Sequence, residues 1–312
     1  MPSSDVIPYQ ARFCFHNPVE VFETEISVYG WTGDMDNTMQ VTTPLSPISS
    51  LPLAHLQTPF RDELMRMPSN AKFVIRIVFE ELTPLSSVAI LGHNLEKFVR
   101  VKAYDNPDFT NELYDSGQKP LADFLGWDSG GWDVDQWDKK IPTGKNGGTT
   151  HWWHEGIVAQ SCELYFDEID IQKPLFQPEI SAIFWGEDFT CGKDAILGQS
   201  NFNWGSSFTT SYSGKHVRLA SGDLLPTAGV AGDQFSASFS SLNKEDALYL
   251  FQRFNDLQTN KWFFCSWYPA DTRLSRLMQG MYYLKTKPKL THKHGQFFSL
   301  NLDVVSAWQG GE

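Results

Sequence analysis

The segment between Leu121 and Gly156 holds the densest group of residues that could do chemistry. Five tryptophans lie there, interleaved with aspartates. Flat indole rings can pack on the C–H faces of sugars, and carboxylates accept hydrogen bonds from hydroxyls, so this pattern indicates a glycan-binding loop. An alternative is that the rings cover a small local core or a subunit contact, because tryptophan is enriched at interfaces. The candidate residues are Trp127, Trp132, Trp137, Trp152 and Trp153.

The same segment contains three carboxylates within six residues. Asp133, Asp135 and Asp138 supply the oxygen ligands that Ca²⁺ prefers. The run lacks the glycine and the distal glutamate of an EF-hand loop. It therefore indicates either a structural calcium site or a solvated acidic loop, and no other cofactor is expected.

Motifs of nucleophilic and phosphate chemistry are absent from the sequence. There is no G-x-S-x-G nucleophile elbow and no Gly-rich phosphate loop ending in Lys-Ser or Lys-Thr. The sequence therefore predicts a protein that is not an enzyme. A glycan depolymerase stays open as an alternative, since its two carboxylates can lie far apart in the chain.

The charge is unevenly distributed. The formal net charge is −12, and residues 1–175 carry 25 acidic against 13 basic side chains, whereas residues 176–312 carry 12 of each. Nucleic-acid binding depends on Lys and Arg at phosphates, so no nucleic-acid partner is expected. No run of about eighteen apolar residues occurs, so membrane insertion is not expected either.

Short apolar runs separated by Gly, Pro, Asn and Ser indicate an all-β chain. Alternation is clear over 72–79, 98–104, 162–171 and 296–305. One helix interrupts the pattern near 243–257. Asn243 can cap it, and Ala247, Leu250, Phe251 and Phe254 recur on one face at helical spacing.

Two stretches carry a family resemblance. Ile90-Leu91-Gly92-His93-Asn94-Leu95 leads into the strand 98–104 and then Tyr114-Asp115-Ser116-Gly117, and the run 162–171 is followed by Ile183-Phe184-Trp185-Gly186. Together they resemble the discoidin-like, galactose-binding-type jelly roll carried by minor tail proteins of long-tailed bacteriophages. After 173–178, where two prolines interrupt the pattern, Ser213-Gly214-Lys215, the capped helix and Gly280 resemble the tail-tube or distal-tail-type fold.

The resemblance implies a mainly β protein with two domains. Residues 1–175 would form a β-sandwich jelly roll with the Trp/Asp-rich insertion near 121–156, a departure from the family pattern. Residues 176–312 would form a smaller tail-tube-like β-sandwich or split barrel with one packed helix.

The function implied is that of a structural tail-tip or baseplate protein. Its partners would be tube, hub and fibre proteins, copies of itself and a host glycan. Its location would be the virion, after synthesis in the host cytoplasm, for which the absence of a secretory signal at the N-terminus also argues. The alternative function is carbohydrate binding through the Trp-rich loop.

Overall fold

A computed structural model gives the structure of the chain. It describes residues 11–21, 23–36, 38–58, 63–68, 71–121, 123–124, 140–141, 148–168, 175–190, 207–212, 216–218, 224–226, 231–257, 261–267 and 279–306.

Strands dominate the described residues. One α-helix, α1, spans Lys244–Leu257, and short 3-10 helices span Pro18–Glu20 and Leu53–Gln57. The strands in chain order are β1 (Arg12–Cys14), β2 (Glu25–Thr32), β3 (Gln40–Pro44), β4 (Met65–Arg66), β5 (Lys72–His93), β6 (Phe98–Tyr104), β7 (Glu112–Pro120), β8 (Asp123–Phe124), β9 (Lys140–Ile141), β10 (Gly148–Asp167), β11 (Glu179–Ile180), β12 (Ala182–Gly186), β13 (Phe189–Thr190), β14 (Ser207–Tyr212), β15 (His216–Arg218), β16 (Leu224–Pro226), β17 (Ala231–Leu242), β18 (Trp262–Ser266), β19 (Gln279–Leu284), β20 (Lys289–His294) and β21 (Phe297–Ser306).

The mainly β fold predicted from the sequence is confirmed, with β-sandwich sheets and a curled half-barrel sheet. No helix within the described ranges is long and apolar enough to cross a membrane.

The chain divides into two compact units. One is residues 16–187, and the other joins residues 1–15 to residues 188–312. The sequence placed a boundary near residue 175, whereas this division keeps β12 in the first unit. The reason is that β12 pairs with β5, from Ala182 opposite Leu91 to Gly186 opposite Ser87.

The first unit is built around two long antiparallel strands, β5 and β10. Its main sheet has the order β3-β2-β5-β10-β6-β7, and β12 pairs with β5. Because side chains alternate across a strand, Ile75, Ile77, Cys162 and Leu164 enter the core on one face. Their neighbours in sequence project from the opposite face, which carries the candidate site described below.

The ends of this first unit are joined through Asn17. Its side-chain amide donates to the Ile183 carbonyl at 3.1 Å, and its Oδ1 accepts from the Trp185 N–H at 3.2 Å. The same oxygen accepts from the Val19 N–H at 3.3 Å and so caps the first 3-10 helix. The start and the end of residues 16–187 are therefore held side by side.

The second unit has a sheet of order β13-β1-β18-β19-β21-β17-β14 across the described strands, with β20 paired to β21. The predicted helix is confirmed as α1. Asn243 caps it by accepting from the Asp246 N–H at 2.8 Å, and Ala247, Leu250 and Phe254 are buried in the core with Leu257. The strand β1 belongs to this unit, since Phe13 pairs with Cys265 of β18 and packs against Phe239, Phe254, Phe263 and Trp267.

A buried carboxyl group in the first unit makes the stability of the folded protein depend on pH. Glu168 is 2% exposed, and burial raises its pKa to about 7 even though it accepts the backbone N–H groups of Glu96 and Lys97. A folded-state pKa above the unfolded value means that the folded protein holds this proton more tightly. The stabilisation is therefore complete below about pH 4.5 and is lost as pH rises through about 7.

We predict that Glu168→Gln removes this pH dependence. A shift from 4.5 to about 7 corresponds to about 3 kcal/mol. Between pH 4.5 and pH 8 the free energy of unfolding of the variant should rise relative to the parent by about that amount. Urea unfolding at a series of pH values measures it. Parallel pH curves for the two proteins would contradict the assignment.

Candidate functional site

The outer face of the first unit's sheet carries a row of alternating charges. The register places Arg76 of β5 opposite Glu163 of β10, Glu163 opposite Lys102 of β6, and Lys102 opposite Asp115 of β7. Directly opposite residues lie close enough for their side chains to interact. Four neighbouring strands therefore present a cation, an anion, a cation and an anion in sequence across the sheet.

Glu163 is the most enclosed member of this row. Its side chain is 3% exposed, and Oε1 accepts from Arg76 Nε at 2.9 Å and Nη2 at 2.7 Å. Its Oε2 accepts from the Tyr104 hydroxyl at 2.6 Å and the Tyr165 hydroxyl at 2.7 Å. Burial, together with the neighbouring carboxylate, raises the pKa of both tyrosines above the ordinary value, so both remain hydroxyl donors.

A second ion pair lies beside it. Arg100 Nε donates to both oxygens of Asp115, at 2.8 and 3.1 Å, and Nη2 also donates to Asp115. Burial acts to raise the pKa of Asp115, but the hydrogen bonds from Arg100 and the Gly117 N–H outweigh it and lower that pKa. Lys102 Nζ lies 2.6 Å from Glu112 Oε2 and 3.8 Å from Asp115 Oδ2.

The loop between β6 and β7 places an aromatic ring over this row. Phe109 has a φ of 58°, a left-handed conformation that is unusual for a bulky residue. The loop is held by hydrogen bonds from Thr110 N–H to Asn106 Oδ1 and from Ser161 Oγ to the Asn106 carbonyl. The ring lies 4.4 Å from the guanidinium carbon of Arg76, within cation–π distance. The loop therefore presents Phe109 in a fixed position.

The loop between β2 and β3 closes the opposite side. Arg100 Nη1 donates to the backbone carbonyls of Met35 and Asp36, and Gln118 Nε2 donates to Asp36 Oδ1 at 2.5 Å. This turn requires glycine at position 33, where φ is 97° and a Cβ would lie 2.1 Å from the Thr38 carbonyl oxygen. Sheet and loop are thereby tied together.

These groups line an open pocket of about 500 Å³. Its volume is in the range of small-molecule sites in proteins. The wall offers charged donors and acceptors together with aromatic rings, which suits a ligand that carries hydroxyl groups on a ring. The lining residues are Asp36, Met39, Val41, Arg76, Arg100, Lys102, Tyr104, Phe109, Glu112, Asp115, Glu163 and Tyr165.

The structure describes two of the five predicted glycan-binding tryptophans. Trp152 is partly buried against the core, and its Nε1 donates to the Tyr114 hydroxyl at 3.2 Å. Trp153 packs its ring edge-on against His151, with centroids 4.1 Å apart. Neither lines the pocket. Trp127, Trp132 and Trp137 lie outside the described residues.

The predicted calcium ligands Asp133, Asp135 and Asp138 also lie outside the described residues. Within the part of the chain that the structure describes, no group of three or more His, Cys, Asp or Glu residues could hold a metal ion.

No family model matches the chain, and no curated protein matches it. Among solved structures, it is similar to a GH29 fucosidase from Ruminococcus gnavus in complex with fucose, at 11% identity and a TM-score of 0.36. That match covers 56% of this chain, and it spans 27% of the length of the fucosidase.

Two other similar structures are separate carbohydrate-binding modules. A family 32 module from Clostridium perfringens in complex with galactose matches at 9% identity and a TM-score of 0.33, covering 56% of this chain and 98% of the module. A chitosan-binding module from a Paenibacillus chitosanase/glucanase matches at 6% identity and a TM-score of 0.34, covering 55% and 99%.

We predict that Glu163 holds the floor of the pocket together. Glu163→Ala would leave Arg76 and two tyrosine hydroxyls without their shared acceptor, and removing one partner of such a pair should cost about 3 kcal/mol of unfolding free energy. Glu163→Gln should cost less, because its amide oxygen still accepts. Chemical unfolding of both variants measures this.

Glu80→Ala is the matched control, since Glu80 is an exposed glutamate on β5 that does not line the pocket. It should be close to neutral. Equal stability of Glu163→Ala and Glu80→Ala would refute the assigned role.

Proposed function

We propose that this protein binds carbohydrate, and that the pocket on the outer sheet face takes the sugar. The observation that carries the proposal is the combination of Arg76, Glu163 and Phe109 in one pocket of about 500 Å³. Arg76 and the exposed carboxylate of Glu112 can exchange hydrogen bonds with sugar hydroxyls, Glu163 holds Arg76 in place, and the Phe109 ring offers an apolar face. The proposed role is binding without catalysis.

Preorganisation supports this proposal. The side chains of the wall are held by ion pairs across the sheet, and Phe109 is held by its own loop. A site whose groups are already fixed loses little conformational entropy when the ligand binds. Sugars are well hydrated and gain little net energy per hydroxyl, so a rigid site favours their binding.

We predict that the purified chain binds glycans and that Phe109→Ala weakens binding. Loss of the ring contact should reduce affinity about fivefold to tenfold. A glycan array identifies the ligand, and isothermal titration measures the affinity. Phe98→Ala is the matched control, because Phe98 is an exposed phenylalanine on β6 that does not line the pocket.

The array also separates this pocket from the tryptophan-rich loop. Binding that is lost in Trp132→Ala and Trp127→Ala but kept in Phe109→Ala would place the sugar on the loop instead. A blank array would remove carbohydrate binding altogether. Calcium at Asp133, Asp135 and Asp138 stays a prediction, and the same titration with and without chelator would test it.

A structural role in the tail tip of a long-tailed phage is a second candidate function. It rests on the family resemblance in the sequence, and the second unit is compatible with it in having one capped helix packed on a sheet. In that role the protein would reside in the virion, contact other tail proteins and its own copies, and use the first unit for the host glycan. No similar protein described above comes from a phage tail.

We predict for this second candidate that the purified chain forms a closed oligomer. Among the described strands, β14 pairs with β17 alone and forms one end of the sheet order. Such an edge can be covered by another copy. Sedimentation over a concentration series would measure the oligomeric state. A strictly monomeric chain at high concentration that binds no tail protein would contradict this role.

A further inference from the structure

The charged side chains that line the pocket form ion pairs in its interior, and exposed carboxylates lie at its rim. Each cation already has a carboxylate partner: Arg76 has Glu163, Arg100 has Asp115, and Lys102 has Glu112. Asp36 is a fourth carboxylate, so the pocket lining carries three positive and four negative charges. The lining therefore has one negative charge in excess at neutral pH.

The charged side chains also differ in how exposed they are. The side chains of Arg76, Arg100 and Lys102 are 24%, 16% and 18% exposed, whereas that of Glu112 is 41% exposed and Asp36 is also exposed. A ligand that enters the pocket therefore meets the carboxylates of Glu112 and Asp36 first, whereas those of Asp115 and Glu163, at 22% and 3% exposed, lie at the level of the cations or below it.

An acidic ligand would be disfavoured at both levels. The carboxylates at the rim would repel its negative charge. Like charges brought together at a binding site weaken the binding of the ligand that carries them. Inside, it would have to displace a carboxylate from a cation that is already neutralised, leaving that carboxylate partly desolvated and without its partner.

Hydroxyl groups face no such penalty. The bonds to Glu163 use the Nε and Nη2 atoms of Arg76. A guanidinium has five N–H donors, so the other N–H groups of Arg76 can donate to a sugar hydroxyl without breaking the ion pair. The exposed carboxylate of Glu112 can likewise accept from a hydroxyl or from an ammonium group.

We infer that the pocket selects uncharged and amino-bearing sugars and rejects acidic ones, such as uronic acids, sialic acids and sulfated sugars. This inference rests on the proposed function and assigns the ligand class of the same site.

The test uses sugars that differ in charge but share a ring. Glucose, galactose and mannose are each compared with their 2-amino sugar and their uronic acid, by isothermal titration at pH 7. The uronic acids should bind at least about tenfold more weakly than the parent hexose of the series that binds best. The amino sugars should bind as well as the hexoses or better.

Glu112→Gln shows whether the rim causes the discrimination. Removal of this charge leaves Lys102 with Asp115 at 3.8 Å as its remaining carboxylate, so the penalty against the uronic acid should fall about threefold to fivefold. Glu80→Gln is the control, since it removes an equal charge from an exposed position outside the pocket lining. It should leave the ratio of hexose to uronic acid affinity unchanged.

The outcomes separate this inference from the proposed function. If no sugar of any series binds, the proposal of carbohydrate binding is overturned, and so is the inference about which sugars the pocket selects. If a uronic acid binds as tightly as its hexose, the inference is overturned while carbohydrate binding stands. An unchanged ratio in Glu112→Gln, or an equal change in Glu80→Gln, also overturns the inference.

Discussion

The carboxylate of Glu163 is the contact on which the outer face of the first sheet depends. It accepts from Arg76 of β5, from Tyr104 of β6 and from Tyr165 of its own strand β10. A buried charge is tolerated when its lone pairs are satisfied, and here four hydrogen bonds from three side chains satisfy them. The arrangement fixes three strands' outward side chains relative to one another.

The hydrogen bonds of Glu163 also determine how the aromatic rings of the site are placed. Once Arg76 is held by Glu163, its planar guanidinium offers a flat face, and Phe109 stacks there from one side. Tyr29 lies on the same guanidinium at 5.1 Å. The aromatic contacts and the ion pair thus support each other, because each limits the rotamers that the arginine can adopt. A polar site is in this way kept rigid on a β-sheet face.

The sequence predicted the strands and the helix better than it predicted which side chains meet in the candidate site. Period-two alternation over 98–104 indicated a strand with Arg100 and Lys102 on one face, and α1 began at its predicted cap. What alternation cannot give is the register between strands far apart in the chain. Glu163 and Arg76 are 87 positions apart, so their pairing depends on tertiary structure.

The tryptophan prediction illustrates a second limit of sequence reasoning. The clustered tryptophans of residues 121–156 predict a glycan-binding loop, and this stays a prediction because Trp127, Trp132 and Trp137 lie outside the described residues. Trp152, which is described, packs on the core and donates its N–H to a tyrosine. A large aromatic residue gives the same signal whether it serves packing or ligand contact. Phe109 gave no signal at all, since a single phenylalanine in a polar loop has no periodic partner and its left-handed backbone is not visible in the residue type.

The position of β1 has a consequence for how the chain folds. Phe13 of β1 pairs with Cys265 of β18, and residues 16–187, which form the first unit, lie between them in the chain. Folding of that unit brings Asn17 beside Trp185, which shortens the stretch of chain that β1 must close to reach β18. Because closure entropy grows only with the logarithm of loop length, this lowers the entropic penalty by about 1 kcal/mol. Folding of residues 16–187 therefore also makes it easier, by this modest amount, for β1 to join the sheet of the second unit.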